Sequence, residues 1–192
     1  IEGGIEDYHV PWGHPQVVHG MNSRSGDIDT APECFAATTS TWVYAQGKAP
    51  TRYKNDAIPS IPGINRDSPV QSQIISLFPT GVIGLMSDHL MLGQILPLGW
   101  DKSLLRFNYY FVGDAALDDN CAAARQDIID GWDKIIEQDV PFVRNVHEMY
   151  QVRDDLLIDT RFSPHWEGAV LHFQRMVVDT LTKQLPSVKT EI

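Results

Sequence analysis

Three of the seven histidines in this 192-residue chain stand in a dense polar cluster of Glu6, Asp7, Tyr8, His9, Trp12, His14 and His19. His9 and His14 are the pair whose spacing suggests chemistry. Neutral imidazole is a good ligand for Fe, Zn, Cu or Ni. Five residues along an ideal helix turn through about 500°, which would point the two rings roughly 140° apart. Both reach one ion only if the backbone leaves the helix between them, and Pro11 and Gly13 lie in that interval. The plain alternative is two unconnected surface or pocket histidines.

A two-histidine site needs a third ligand. Two His and one carboxylate on one face of an octahedron leave open positions for oxygen and substrate, as in non-heme Fe(II) oxygenases. Asp133, Glu137 and Asp139 all lie on a predicted long helix. Asp139 sits beside Pro141, whose missing N–H disturbs the helical ladder and lets a side chain turn inward. Glu137 reads better as part of a solvated face. The remaining histidines suggest less: His89 reads as a pocket or edge residue, His147 and His165 as surface groups, and His172 as a packing residue beside Phe173. There is no CxxC pair for a zinc ribbon, no Gly-rich phosphate loop and no GxSxG.

The elements that must position these groups follow from periodicity and breakers. The first eight or nine residues read as helix, broken by Pro11, Gly13 and Pro15. Residues 16–33 read as loop, and 34–46, rich in Thr, Val and aromatics, as strand. Residues 47–72 hold Pro50, Pro59, Pro62, Gly63 and Pro69 among polar residues and read as a long excursion near a pocket mouth or subunit contact. Residues 73–78, 82–98 and 103–113, separated by short turns, predict an antiparallel meander, with Leu105, Phe107, Tyr109 and Phe111 on one face. Residues 118–150 switch to helical spacing, with Pro141 as a kink or interruption. A charged loop over 151–162 and a final helix capped by Ser163-Pro164, apolar along Val170, Phe173, Val177 and Leu181, complete the order. The class is α+β, with helices over one face of an antiparallel sheet.

Composition bounds the partners. Asp plus Glu number 25 against 15 Lys plus Arg, a net charge of −10. So acidic a chain repels phosphate backbones and argues against nucleic acid as the main partner. No apolar run approaches the ~20 residues of a membrane span. Two cysteines, Cys34 and Cys121, make no disulfide framework. The expectation is a reduced, cytoplasmic domain. The start at Ile1, already dense in polar chemistry, predicts a piece of a longer polypeptide.

Three segments together resemble the catalytic domain of Rieske-type non-heme iron oxygenases, the α subunit of ring-hydroxylating oxygenases. EGGIEDYHVPWGH (2–14) resembles the family's ligand segment, a carboxylate followed by Tyr-His, four residues and a second His. IIEQDVPFV (135–143) resembles the Glu-Gln-Asp segment of its long helix. RFSPHWEGAVLHFQRMVVDTL (161–181) resembles its C-terminal segment. The resemblance spans nearly the whole chain and implies a helix-grip, START-like fold, a curved antiparallel sheet around a long helix.

It also implies roles. His9, His14 and Asp139 would hold mononuclear Fe(II). Glu6 would link that site to the Rieske [2Fe–2S] cluster of a neighbouring subunit in a homotrimer. That cluster needs Cys-x-His and Cys-x-x-His, which this chain lacks, so a Rieske domain is expected upstream of residue 1. Glu at position 6, where many aromatic-ring dioxygenases have Asp, resembles the branch acting on quaternary amines. After Asp139 the chain departs from the common pattern, with Arg144 and His147-Glu148-Met149. The implied reaction consumes O2 and a small aromatic or quaternary-amine substrate, with a ferredoxin or flavin reductase as electron donor. Asp7 is a further candidate to orient an imidazole, and Leu85, Met91, Leu92, Phe107 and Tyr109 are candidates to line the pocket. The rival readings are a metal-free helix-grip module holding an apolar molecule and a zinc hydrolase on the same ligands.

Overall fold

Each strand of the sheet pairs antiparallel with the next in the chain. The order is β1 (Met21–Thr30), β2 (Ala36–Tyr44), β3 (Val70–Leu77), β4 (Gly81–Met86), β5 (His89–Pro97) and β6 (Ser103–Phe111). Among the described residues two single helical turns precede it, α1 (Glu2–Ile5) and α2 (Val10–Gly13). Two longer helices follow, α3 (Ala122–Leu156) and α4 (Gly168–Gln184). The computed structural model describes residues 2–6, 8–14, 21–30, 36–44, 57–63, 70–156, 159–164 and 167–184, with backbone alone at 5, 11, 21–30, 36–44, 70–73, 154–156, 169 and 184. The architecture is α+β and of the helix-grip kind.

Strand alternation sorts the two faces of the sheet. Val82, Gly84 and Met86 of β4 and His89, Met91 and Gly93 of β5 are buried. Phe111, Tyr109 and Phe107 of β6 pair with His89, Met91 and Gly93 and pack against the same core. A side chain at position 93 has no room, because a Cβ there would stand 2.6 Å from Phe107 Cε1. Onto this face α3 lays Ala124, Ile128, Trp132 and Ile135, a stripe at helical spacing. Burying each large apolar side chain of the stripe contributes about 1.5–3 kcal/mol. Asp139 is the next position along the same stripe, so the helix face that forms the core also delivers the carboxylate.

The start of α3 is tied down by polar contacts. Asp118 Oδ1 accepts from Asn120 N–H at 2.9 Å, capping the 3-10 turn Asp119–Cys121. Arg125 Nη1 donates to the carbonyls of Ala115 (2.5 Å) and Asp118 (2.9 Å).

The structure differs from the sequence reading in several places. Residues 21–30, read as loop, form β1, paired with β2 from Thr30↔Ala36 to Met21↔Tyr44. Their polar run shows no alternation, but a ladder satisfies the backbone whatever the side chains, and polar residues suit an edge strand. The opening helix breaks at Glu6–His9 rather than at Pro11. Pro11 lies in the first turn of α2, where its missing N–H needs no partner. Pro141 does not interrupt α3, which runs through it as one helix. The helix runs on to Leu156 through residues read as loop; no Gly or Pro follows Pro141 in it. The last helix starts at Gly168 rather than Ser163. One turn precedes it, closed by Glu167 N–H to Ser163 O at 2.9 Å and Ser163 N–H to Glu167 Oε2 at 2.6 Å. Its expected end at Pro186 lies outside the described residues.

Leu85 and Leu92 do not share a face with Met91. Gly84 is the residue paired with Met91, which puts Leu85, and Leu92 opposite Ile83, on the other face. Leu105 shares the parity of Phe107 but stays exposed, beyond the reach of α3. The proline-rich excursion is anchored in its described part: Ile58 is fully buried in the core, and Ile61 N–H donates to Ser87 O at 2.8 Å.

Candidate metal centre

His9 and His14 bracket α2. His9 is its N-cap and His14 its C-cap, so one helical turn separates the two rings. Trp12 N–H and Gly13 N–H both donate to the His9 carbonyl, and His14 N–H to the Val10 carbonyl. The backbone leaves the helix at His14 itself (φ −129°, ψ 62°), not at Pro11 or Gly13. That exit brings the rings edge to face, with centroids 5.3 Å apart and planes at 86°.

Asp139 arrives from α3. Its Oδ1 lies 2.9 Å from His14 Nε2 and 3.7 Å from His9 Nε2. One ligand atom from each of the three residues lies within 4.8 Å of the others, the one such cluster of His, Cys, Asp and Glu among the described residues. Of the three carboxylates proposed for the third position, only Asp139 is in it. Asp133 accepts from Tyr109 OH at 3.3 Å, and Glu137 is exposed.

The far side of each ring fixes its tautomer. His9 Nδ1 faces Glu6 Oε1, and a carboxylate only accepts, so Nδ1 carries the proton. Glu6 Oε2 also accepts from the His9 backbone N–H at 3.3 Å. His14 Nδ1 faces Gln138 Oε1 at 3.1 Å. Both Nε2 atoms are then left with lone pairs that converge on the Asp139 carboxylate. Asp139 Oδ1 is buried and accepts no hydrogen bond, although His14 Nε2 is so near. Three electron donors meeting without a proton between them fit a cation held by two imidazoles and a carboxylate.

With no cation present, the surrounding groups favour a proton on His14 in place of the positive charge. Burial opposes charging the His14 ring, but the Asp139 carboxylate, the Gln138 amide oxygen and Glu6 outweigh it and raise its pKa above the ordinary 6.5. Tyr8, next to His9 in the chain, donates to Glu167 Oε1 at 2.9 Å. Burial, then Glu167 and the nearby Glu6 and Glu2, push its phenol up to about 12. Gln174 Nε2 donates to Glu2 Oε1 at 2.6 Å, so α4 braces the segment that carries His9. Gly13 fixes the approach of α2 to α3. A Cβ at position 13 would lie 3.0 Å from Phe142 Cε2.

Sequence reasoning missed Gln138, Glu167 and Phe142 as supports of the site. The Glu-Gln-Asp segment held the signal for Gln138 and the 161–181 segment that for Glu167; nothing local marks Phe142. It also took His89 for a pocket or edge residue, whereas His89 is wholly buried and bonded to Asp88 and Trp132. His147 stacks near Trp100, ring centroids 5.8 Å apart. His172, expected as a satisfied packing residue, has a buried Nε2 with no hydrogen-bond partner among the described residues. His19, His165, Cys34 and the side chain of Asp7 lie outside the described residues.

A cleft of about 470 Å³ opens between β6 and the start of α3, with Tyr109, Phe111, Arg125 and Ile129 among its walls. Of the pocket residues proposed from sequence, it takes in Tyr109, while Met91 is core. Among the described residues no helix is long and apolar enough to cross a membrane.

No curated protein matches the chain. The family model described as the ring hydroxylating alpha subunit (catalytic domain) matches residues 1–183.

Proposed function

Because the chain belongs to the ring-hydroxylating α-subunit catalytic domain family, and so to a family of oxygenases, we propose that it is the terminal oxygenase component of a Rieske-type system. The observation that carries this reading is the meeting of His9 Nε2, His14 Nε2 and the unpartnered Asp139 Oδ1. These residues would hold one Fe(II), which supplies the redox chemistry that activates O2.

The chain's own residues do the rest. Glu6 keeps the Nδ1 proton of His9, and Gln138 that of His14, so each ring offers Nε2 and only Nε2. Asp139 offsets cation charge in a site where His14 is almost fully buried. By resemblance, Glu6 also links His9 to a Rieske [2Fe–2S] cluster on a domain outside this chain, in the neighbouring subunit of a homotrimer. A ferredoxin or flavin reductase supplies electrons, in the cytoplasm. The substrate is a small aromatic or quaternary amine, and the outcome hydroxylation, dihydroxylation or demethylation.

The test is the iron content of the intact protein after anaerobic reconstitution, beside Asp139→Ala. We expect about one mononuclear iron per chain in the wild type, and its loss from a folded variant. Iron retained in Asp139→Ala overturns the ligand set. No mononuclear iron in folded wild type overturns the oxygenase reading and favours a metal-free helix-grip module.

A further inference from the structure

One chain of buried polar side chains crosses the core between sheet and long helix, and the metal site does not use it. Trp132 Nε1–H donates to His89 Nε2 at 2.8 Å. His89 Nδ1 faces Asp88 Oδ1 at 2.7 Å. Asp88 and His89 are completely buried and Trp132 nearly so. Because His89 Nε2 accepts the indole proton, its own proton sits on Nδ1 and goes to Asp88. Asp88 and His89 form the end of the β4–β5 hairpin, while Trp132 belongs to α3.

A buried polar chain carries a desolvation cost that an apolar filler of the same shape avoids. What it adds is direction. Ile128 and Ile135, on either side of Trp132 along the stripe, contribute burial, but apolar contact is non-directional. A small slide or rotation of α3 exchanges one methyl contact for another. A hydrogen bond weakens steeply once misaligned, so the indole-to-imidazole bond admits one setting of the helix. Trp132 and Asp139 are about two turns apart on one face of that helix. The setting of one is therefore the setting of the other.

We propose that the Asp88–His89–Trp132 chain is a positioning device. It fixes the rotation and axial register of α3, and so places Asp139 Oδ1 against His9 and His14. Trp132 and His89 act through the helix. This rests on the metal reading above, and its test separates the two.

The intact protein is loaded with Co(II) in place of iron. Affinity is read by chelator competition and site geometry by low-temperature EPR. Trp132→Phe keeps a ring but removes the donor. It is expected to weaken Co(II) binding roughly tenfold, the low end of what supporting partners of metal ligands cost, and to alter the EPR spectrum. Ile135→Val removes one buried methylene nearer to Asp139 and leaves the polar chain intact. It is expected to lower thermal stability while keeping the wild-type spectrum. Equal effects of the two variants on affinity and spectrum overturn the proposal, because loosened packing alone then accounts for both. A second pair covers a Trp132→Phe that does not fold. His89→Gln keeps an acceptor for the indole and is expected to stay closer to wild type than His89→Leu; identical spectra from the two overturn the proposal. A wild-type protein that takes up no Co(II) overturns the metal reading and this one with it. The other contrary outcomes overturn this one alone.

Discussion

His14 Nε2 lies 2.9 Å from Asp139 Oδ1 with no hydrogen bond between them. One atom belongs to the cap of a single helical turn near residue 1, the other to a 35-residue helix in the second half of the chain. His14 is oriented from behind by Gln138, the residue next to Asp139 on the same helix. One helix thus supplies both a proposed ligand and the group that aims its neighbour.

That pairing gives the site a pH dependence. The ordinary imidazole pKa is 6.5, and His14 is raised above it. A group raised in the folded state stabilises fully below its unfolded pKa, and the contribution is lost as pH rises through the folded value. The metal-free protein should therefore lose a small increment of stability above pH 6.5. Metal affinity should rise over the same interval, since Nε2 must give up its proton to bind. Histidine NMR of the metal-free protein should place His14 above 6.5, and lower in Asp139→Asn. A His14 midpoint unchanged by that substitution contradicts the assignment of Asp139 as the main raising charge.

Gly13→Ala sets two effects against each other. Alanine in a helical turn gains up to about 1 kcal/mol over glycine. Its Cβ would also press on Phe142 at 3.0 Å and lie 3.7 Å from His9 Cδ2. The two effects nearly cancel in stability, so the melting curve should move by the equivalent of about 1 kcal/mol or less. The metal site should respond more, with affinity down roughly tenfold. Adding Phe142→Leu should restore it. A tight-binding Gly13→Ala protein would show that α2 and α3 have slack at this contact.

Glu167 accepts from two donors, Tyr8 OH and Ser163 N–H. Tyr8→Phe removes one partly exposed hydrogen bond and should cost about 1 kcal/mol or less. Glu167→Ala strands both donors and should cost more, about 2 kcal/mol, by urea denaturation. Glu167→Gln should lower the Tyr8 phenol from about 12, read by ultraviolet absorbance in alkaline titration. Equal costs for Tyr8→Phe and Glu167→Ala would mean that the turn before α4 does not depend on this carboxylate.

Gly93→Ala should destabilise the core by about 1–3 kcal/mol, the range for overpacking. The added Cβ would stand 2.6 Å from Phe107 Cε1 and 3.4 Å from Val82 Cβ. Phe107→Leu in the same chain should recover part of the loss. If Gly93→Ala alone melts like wild type, β5 and β6 are less tightly apposed than their register implies.

Local patterns carried much of this protein. Apolar runs separated by short turns over 73–78, 82–98 and 103–113 marked β3 to β6, because strand-forming types and turn residues are properties of short windows. Helical spacing from Ile128 to Ile135 marked α3 for the same reason. β1 left no such mark, since its polar run becomes a strand only by pairing with β2. The end of α3 was missed because charged residues read as loop while their helix propensity is good.

The site divides along the same line. His9, Tyr8, Glu6 and the Glu-Gln-Asp segment could be named from type, spacing and order, because these properties are local and a ligand set needs particular chemical groups. Tertiary structure alone decided that the backbone leaves the helix at His14 and that Gln138 aims one of the rings. It alone buried Asp88, read as part of a turn, and His89, read as a pocket or edge residue, and bonded His89 to Trp132. Those are distances and angles between segments far apart in the chain. They are set by how α3 packs across the sheet, and no window of sequence short enough to read contains both sides of that contact.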